Sequence, residues 1–502
     1  MLIGERELSL EEKVGQLFMT FFHGEEANGD ARRLIEEVRI GGVIYYEWSN
    51  ALSSNEQVTN LSSGLQALAN DQGVLPLFIG IDQEGGRVTR LKKGFTEFPG
   101  NFSLAATKEP ALTRTCAEAM GRELRSSGIN MNFSPVVDVN TRYENPVIGI
   151  RSFGQVPEEV SKLGALALEG FLKSRVIATA KHFPGHGDAD VDSHASLPVV
   201  NKTMEELQAA ELLPFKNLSG KAPAIMTGHI LFPKIDPYNC ATLSEKILTT
   251  LLRQNLQYRG VVISDSLFMG GFVNSCSGIA EGAIQAFNAG VDILLFGGRD
   301  FIDGKREHVH EIIGIYHAVL EAVRNGRISE DRLNKSVERI LLLKQRYKVM
   351  DRSEGISISE WASHQKLAKE VAKKSTIFLK KGKLTDKAVK TLVVAPKSLK
   401  ENVEKVDWSS LGDSISFHFV DDFSEDLNLT ADRIIFCAYQ VILQPVQAVL
   451  FQKIGKNRES IVLLLADPRD AEAFPDADLL VATHSPSRYS LEAAIDLLTL
   501  SI

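Results

Sequence analysis

Eight short apolar or β-branched runs recur through the first 300 residues, each followed by a longer segment whose apolar residues fall three and four apart. The runs are GQLFMTF from Gly15, GGVIYY from Gly41, LFIGID ending at Asp82, MNFSPVVDV from Met131, VIATAKHF ending at Phe183, APAIMTGH ending at His229, GVVISD ending at Asp265 and DILLF ending at Phe296. Runs of this kind suit strands covered on both faces, whereas SLEEKV, EEVSKLGALALEGFLKS and MEELQAAELLPFKNL carry the stripe of a helix lying on a sheet. Parallel strands need a crossover connection, so this alternation predicts a parallel α/β architecture. Eight units predict a (β/α)8 TIM-type barrel, with a doubly wound open sheet as the alternative.

Such a barrel takes about 250 to 350 residues, and the chain has 502, which leaves room for a second unit. Helical periodicity dominates from about Glu307 to Lys344, and the polar stretch RYKVMDRSEGISISE leads to a further helix around Trp361 to Lys374. Beyond it TLVVAP, SISFHFV, RIIFCAY, SIVLLLADP and LLVATH resume the strand pattern between helical or turn segments. The expected division is a barrel over 1–350, a linker and helix over 351–375, and a smaller C-terminal α/β sandwich domain over 376–502.

A chain that is 44% hydrophobic and 24% charged, with a formal net charge of -8, has no electrostatic reason to seek nucleic acid or an anionic membrane. Glu5, Arg6, Glu7, Glu11, Glu12 and Lys13 fall where an export signal would need an apolar core. No apolar run reaches the ~18 residues of a spanning helix. Cys116, Cys240, Cys276 and Cys437 are far apart and form no CxxC pair, which argues against a disulfide framework and a thiolate zinc site. A cytoplasmic location is expected.

Asp82, Asp138, Lys181, His182, His229 and Asp265 all fall at or just beyond the C-terminal end of an expected strand. In a (β/α)8 barrel that end carries the active site, because side chains from several strands converge there on one mouth. One Asp after a strand is most often a cap or turn residue, but caps have no reason to recur in register with a barrel mouth. The densest cluster, KHFPGHGDADVDSHASLP from Lys181 to Pro198, admits a metal site, an acid/base pair or a solvated loop. His182 and His186 stand four apart like a helical zinc pair, yet Pro184, Gly185 and Gly187 break a helix there and no HExxH glutamate is present. Asp192 and His194 share a face in an extended segment, so the carboxylate can orient the imidazole and favour its protonated form. Acid/base chemistry is the stronger reading, and no metal or other cofactor is expected. His186, between glycines, reads as a residue that orders the loop, with the glycines and Pro184 as a hinge. His229 either lines the pocket or packs beneath it, and Asp138 either faces substrate or braces a basic neighbour.

Four linked motifs, IDQEGGRVTR, NPVIGIRSFG, KHFPGHG followed by DSH, and VVISDSLFMGG, make residues 8 to 350 resemble glycoside hydrolase family 3. Specifically, they resemble its β-N-acetylglucosaminidase branch, which includes enzymes of peptidoglycan recycling. The resemblance implies that Asp265 is the nucleophile, His194 the acid/base and Asp192 its dyad partner. It also implies that Asp82, Arg90, Arg151, Lys181 and His182 hold the terminal sugar's hydroxyls. The implied activity is retaining, exo-acting hydrolysis of terminal N-acetylglucosamine from peptidoglycan-derived muropeptides through a glycosyl-aspartate. A retaining glycosidase needs a nucleophilic carboxylate and a proton donor on the leaving-group side, and the Asp192–His194 pair stands where most such enzymes use a second carboxylic acid. The alternatives are an N-acetylglucosaminide phosphorylase with the same residues, and a β-glucosidase of the same family. The β-glucosidase branch takes its acid/base glutamate from the second domain and lacks the DSH loop, which favours an N-acetyl-hexosaminide here. The last third resembles the second domain of longer members but carries no distinctive motif.

Overall fold

The computed structural model describes residues 7–298, 308–351, 355–382, 384, 389–412, 414–421, 423 and 430–500. Eight strands, β1 Phe18–Thr20, β2 Gly42–Tyr45, β3 Phe78–Ile81, β4 Met131–Asn132, β5 Ile177–Phe183, β6 Ala224–Thr227, β7 Val261–Ile263 and β8 Leu294–Phe296, pair in parallel. Their order is β8-β1-β2-β3-β4-β5-β6-β7. The two ends of that order meet, because Ile263 bridges Ile293 and the Asp292 and Ile293 N–H groups both donate to the Val262 carbonyl. The sheet closes as a barrel, and each of the eight apolar runs supplies one strand.

Local signals set the helices around it. Ser9 accepts from the Glu12 N–H while the Glu12 carboxylate accepts from the Ser9 N–H, a capping box that starts Leu10–Gly15. The segment MEELQAAELLPFKNL forms two helices, Met204–Ala209 and Leu212–Leu218, where its periodicity suggests one. Pro214 explains the break, since it has no N–H to donate and its ring crowds the carbonyl four residues back. Beneath the barrel, buried Asp292 receives Arg253 at 2.5 Å, Arg339 at 3.0 Å and Ser336 at 2.6 Å, tying the helix Glu330–Arg346 to the strand floor.

The helix Ile358–Ser375 packs on the barrel: Ala368 and Val371 join its core, and His364 Nδ1 lies 2.9 Å from Glu123 Oε1. It is therefore part of the first unit's packing. Residue 307, where the preceding helical stretch was expected to begin, and residues 352–354 of the polar stretch lie outside the described residues, as do the first six.

The second unit is a six-stranded sheet of β9 Ile377–Lys380, β10 Lys390–Pro396, β11 Ser414–Val420, β12 Arg433–Ala438, β13 Glu459–Leu464 and β14 Leu479–Ala482, in the order β9-β14-β13-β12-β10-β11. Period-two alternation divides it into two cores. Val393, Ile435 and Leu463 face one, with Leu491 and Ile495 of the helix Arg488–Thr499. Val394, Phe436 and Leu464 face the other, with Leu450 and Phe451 of the helix Val446–Gly455. The result is the expected α/β sandwich. Its antiparallel edge strand β9 has no counterpart among the expected runs. Among the described residues no helix is long and apolar enough to cross a membrane.

Candidate active site

The eight residues singled out from sequence line one pocket of about 300 Å3 at the C-terminal mouth of the barrel. Asp82 follows β3, Lys181 and His182 sit near the C-terminal end of β5, and Asp265 lies two residues past β7. Arg151 ends a short 3-10 turn in the long connection after β4, while Asp192 and His194 occupy the loop after β5. Arg87 and Arg90 reach the pocket from a hairpin, Gln83–Gly85 with Val88–Thr89. Its turn needs glycine at Gly86, where φ is +58° and a Cβ would stand 2.5 Å from the Pro99 carbonyl oxygen.

The pocket floor is a lattice of charge. Lys181 Nζ donates to Asp82 Oδ1 at 2.7 Å and lies 2.7 Å from Glu84 Oε1. Arg151 grips Glu84 through two parallel bonds, Nε to Oε2 at 3.0 Å and Nη2 to Oε1 at 2.8 Å. Burial alone would push the Glu84 carboxyl up, but Arg151 and Lys181 hold it far below the usual carboxylate range. Burial would likewise strip the proton from Lys181, and the Asp82 and Glu84 carboxylates outweigh it, so the ammonium is strengthened. Lys181 is thus a fixed cation and no base. Arg90 Nε is buried with no hydrogen-bond partner among the described residues, so the pocket holds an unused donor.

His182 is oriented from below. Its Nδ1 lies 2.7 Å from Asp138 Oδ2, and Asp138 Oδ1 accepts from the His182 and His186 N–H groups at 3.1 and 2.7 Å. With Nδ1 carrying the proton toward Asp138, Nε2 is left for the pocket. Asp138 therefore braces its basic neighbours. His229 packs beneath the site: it is buried, with Nδ1 2.8 Å from Thr242 Oγ1 and Nε2 2.9 Å from the Ser266 carbonyl. The run Pro184–Gly187, expected as a hinge, is buried, and a Cβ on Gly187 would overlap the Val139 carbonyl oxygen at 1.7 Å. Close packing fixes that run, and the exposed part of the loop begins beyond it.

Asp192 Oδ1 accepts from the His194 N–H at 2.8 Å and lies 2.7 Å from His194 Nδ1. That bond, with the Asp192 charge, raises the His194 pKa above its usual value, so the imidazole keeps its proton to higher pH. Asp192 itself, though burial opposes it, is held down at about 2 by the same histidine. Asp265 accepts from the Ser266 N–H at 2.7 Å. Burial would raise its pKa, but His182, His229, His194 and that N–H together hold it below the usual carboxylate range. A carboxylate biased toward its ionised form and an imidazole biased toward its protonated form thus share one pocket, the opposite biases that a nucleophile and a proton donor need.

Glu84 and the stacked pair Tyr46 and Trp48, at the pocket's rim with centroids 5.0 Å apart, were not anticipated from sequence. Glu84 stands two positions after Asp82 and shares its face in an extended segment, a signal that was present. Tyr46 and Trp48 follow β2, at a strand end like the titratable residues. Glu84→Gln is expected to lower unfolding free energy by about 3–5 kcal/mol, the usual cost of breaking a buried ion network from one side. Urea denaturation reads that loss, and kcat/KM should fall with it as Arg151 and Lys181 lose their register.

A model of the glycosyl hydrolase family 3 N-terminal domain matches residues 9–343. Beta-hexosaminidase A of Pseudoalteromonas piscicida is 36% identical over 401 residues, covering 73% of this chain and 66% of the relative. A beta-hexosaminidase of Idiomarina loihiensis is 35% identical over 276 residues, covering 54% of this chain and 81% of its own. Among solved structures, a family 3 beta-N-acetylglucosaminidase from Paenibacillus sp. str. FPU-7 is 36% identical with a TM-score of 0.88, covering 99% of this chain and 97% of that one. A closed parallel barrel with an acidic and basic mouth, matched along nearly its whole length by one family, identifies the chain: it belongs to glycosyl hydrolase family 3 and is a glycoside hydrolase.

Proposed function

We propose that the protein is a retaining exo-β-N-acetylglucosaminidase that removes terminal N-acetylglucosamine from peptidoglycan-derived muropeptides. The observation that carries this reading is the meeting of Asp265, the Asp192–His194 dyad and the Lys181–Asp82–Glu84–Arg151 lattice in one pocket sized for a single sugar. Asp265 attacks the anomeric carbon while His194 protonates the departing oxygen. His194 then takes a proton from water as that water releases the sugar from Asp265, restoring both groups. Asp82, Arg90, Arg151, Lys181 and His182 bind the hydroxyls and fix the ring. The names of the Pseudoalteromonas, Idiomarina and Paenibacillus relatives support an N-acetylhexosamine in that place.

Past Arg87 and Arg90 the pocket continues into a cleft of about 550 Å3 between the barrel and the carboxyl ends of β10 and β12. Lys92, Glu97, Lys397, Asn402, Asp421 and Tyr439 line it. That volume and mixed charge suit a leaving group larger than one sugar and bearing both carboxylate and amino groups, as a muropeptide does. A cytoplasmic site of action accords with Cys116, Cys240 and Cys437 being buried as free thiols.

The test is a product analysis with nitrophenyl glycosides and a muropeptide, with and without inorganic phosphate. Free N-acetylglucosamine from both N-acetylglucosaminide substrates, unchanged by phosphate and with little release from the β-glucoside, is expected. A sugar phosphate as main product makes the protein a phosphorylase, and preference for the glucoside makes it a β-glucosidase.

A further inference from the structure

The loop that carries the dyad is exposed over Asp190–Val191 and His194–Ser196, yet Ser193 in its middle is 2% exposed. Three contacts hold it there. The Gly271 N–H donates to the Ser193 carbonyl at 3.0 Å, the Gly270 N–H donates to the His194 carbonyl at 3.1 Å, and buried His186 Nε2 lies 3.0 Å from Ser193 Oγ. The close approach needs both glycines. A Cβ on Gly270 would stand 2.7 and 2.8 Å from the Ala195 and His194 carbonyl oxygens, and one on Gly271 would stand 2.8 and 3.0 Å from those of Ser193 and Ser196. Neither glycine has a positive φ, so backbone conformation would admit alanine and only the docked loop forbids it. Gly270 and Gly271 belong to the segment that carries Asp265, five and six residues earlier in the chain.

We propose that Gly270, Gly271, His186 and Ser193 are positioning residues for His194: they latch the acid/base loop onto the nucleophile's own segment and so set the donor against the reacting bond. Asp192 orients the imidazole and raises its pKa but does not place the loop, because its two bonds to His194 lie within the loop. The placement of the whole loop over the pocket comes from the latch. His186 suits this work, since its backbone N–H is anchored on Asp138 and burial, with His182 beside it, depresses its pKa to about 4. It therefore stays neutral, and its bond to Ser193 persists across the working range. The inference rests on His194 being the proton donor.

The test uses the full chain carrying Gly271→Ala, with Ser193→Ala as a milder second variant and His194→Ala as reference. Each is assayed for kcat/KM on an N-acetylglucosamine disaccharide, whose leaving alcohol needs a proton, and on the dinitrophenyl glycoside, whose leaving phenolate does not. Thermal melting establishes that each variant is folded. Gly271→Ala is expected to lose on the order of 10²-fold on the disaccharide, the scale of general acid catalysis, while staying within a few-fold of the parent on the dinitrophenyl glycoside. Ser193→Ala should lose less on the disaccharide, in the same sense. Equal losses on both substrates, or no loss on either, overturn the latch even if His194→Ala is selective. If His194→Ala itself shows no such selectivity, the donor assignment fails and takes the latch with it. Should Gly271→Ala not fold, Ser193→Ala alone decides by the same criterion.

Discussion

Asp265→Asn is expected to lower kcat on a nitrophenyl N-acetylglucosaminide by about 10⁴- to 10⁶-fold, the range seen when a covalent nucleophile is removed while the rest of a site remains. The substitution nearly preserves volume, and the Ser266 N–H that Asp265 accepts can be accepted equally by the amide oxygen. The fold should therefore stand, and thermal melting should show it. What is lost is charge: a carboxylate kept ionised, against the effect of burial, by His182, His229, His194 and one backbone N–H. An amide there cannot form the glycosyl ester, and the remaining lattice binds the sugar without attacking it. Substrate binding by the variant, read by calorimetry, should survive where turnover does not.

Asp192→Asn is expected to cost about 10²- to 10⁴-fold in kcat/KM near neutral pH on substrates with poor leaving groups. It should also move the basic limb of the pH profile. The sign follows from the dyad: the Asp192 carboxylate raises the His194 pKa, so in the parent enzyme the donor stays protonated above its usual range. Without that charge the imidazole loses its proton at lower pH, and the basic limb shifts toward acid. The acidic limb belongs to Asp265, whose pKa lies below the usual carboxylate range, and should stay in place. Asp192 is itself ionised down to about pH 2, so its influence is undiminished across the profile. A full kcat/KM profile of both proteins separates this from a uniform loss of activity, in which neither limb moves.

The barrel was legible because its strands are covered on both faces and therefore read as largely apolar runs, with charged residues, Asp292 on the floor apart, falling where a strand ends at the mouth. That same contrast exposed Asp82, Lys181, His182 and Asp265. Glu84 is less legible because it stands beyond the strand end, in a hairpin that continues the chain past Asp82. Its role emerges only when Arg151, 67 positions away in the chain, folds back to meet it. Strand β9 escaped because IFLK on an exposed edge has no buried face to impose a pattern. The run Pro184–Gly187 reads as a hinge in the sequence and is packed in the fold. Glycine marks both flexible hinges and tight backbone contacts, and only the neighbouring Val139 carbonyl decides between them. The close approach of Gly270 and Gly271 to the dyad loop is hidden in the same way: nothing in SLFMGG tells which backbone will lie against it.

In the proposed mechanism Asp265 becomes covalently bonded to the sugar. Incubation with a fluorinated N-acetylglucosaminyl fluoride, which forms the glycosyl-enzyme faster than it is released, followed by peptide mapping by mass spectrometry, tests it most directly. One sugar adduct per chain is expected, on the peptide containing Asp265 and absent from Asp265→Asn. An adduct on another carboxylate, or turnover of this reagent with no covalent species, would contradict it.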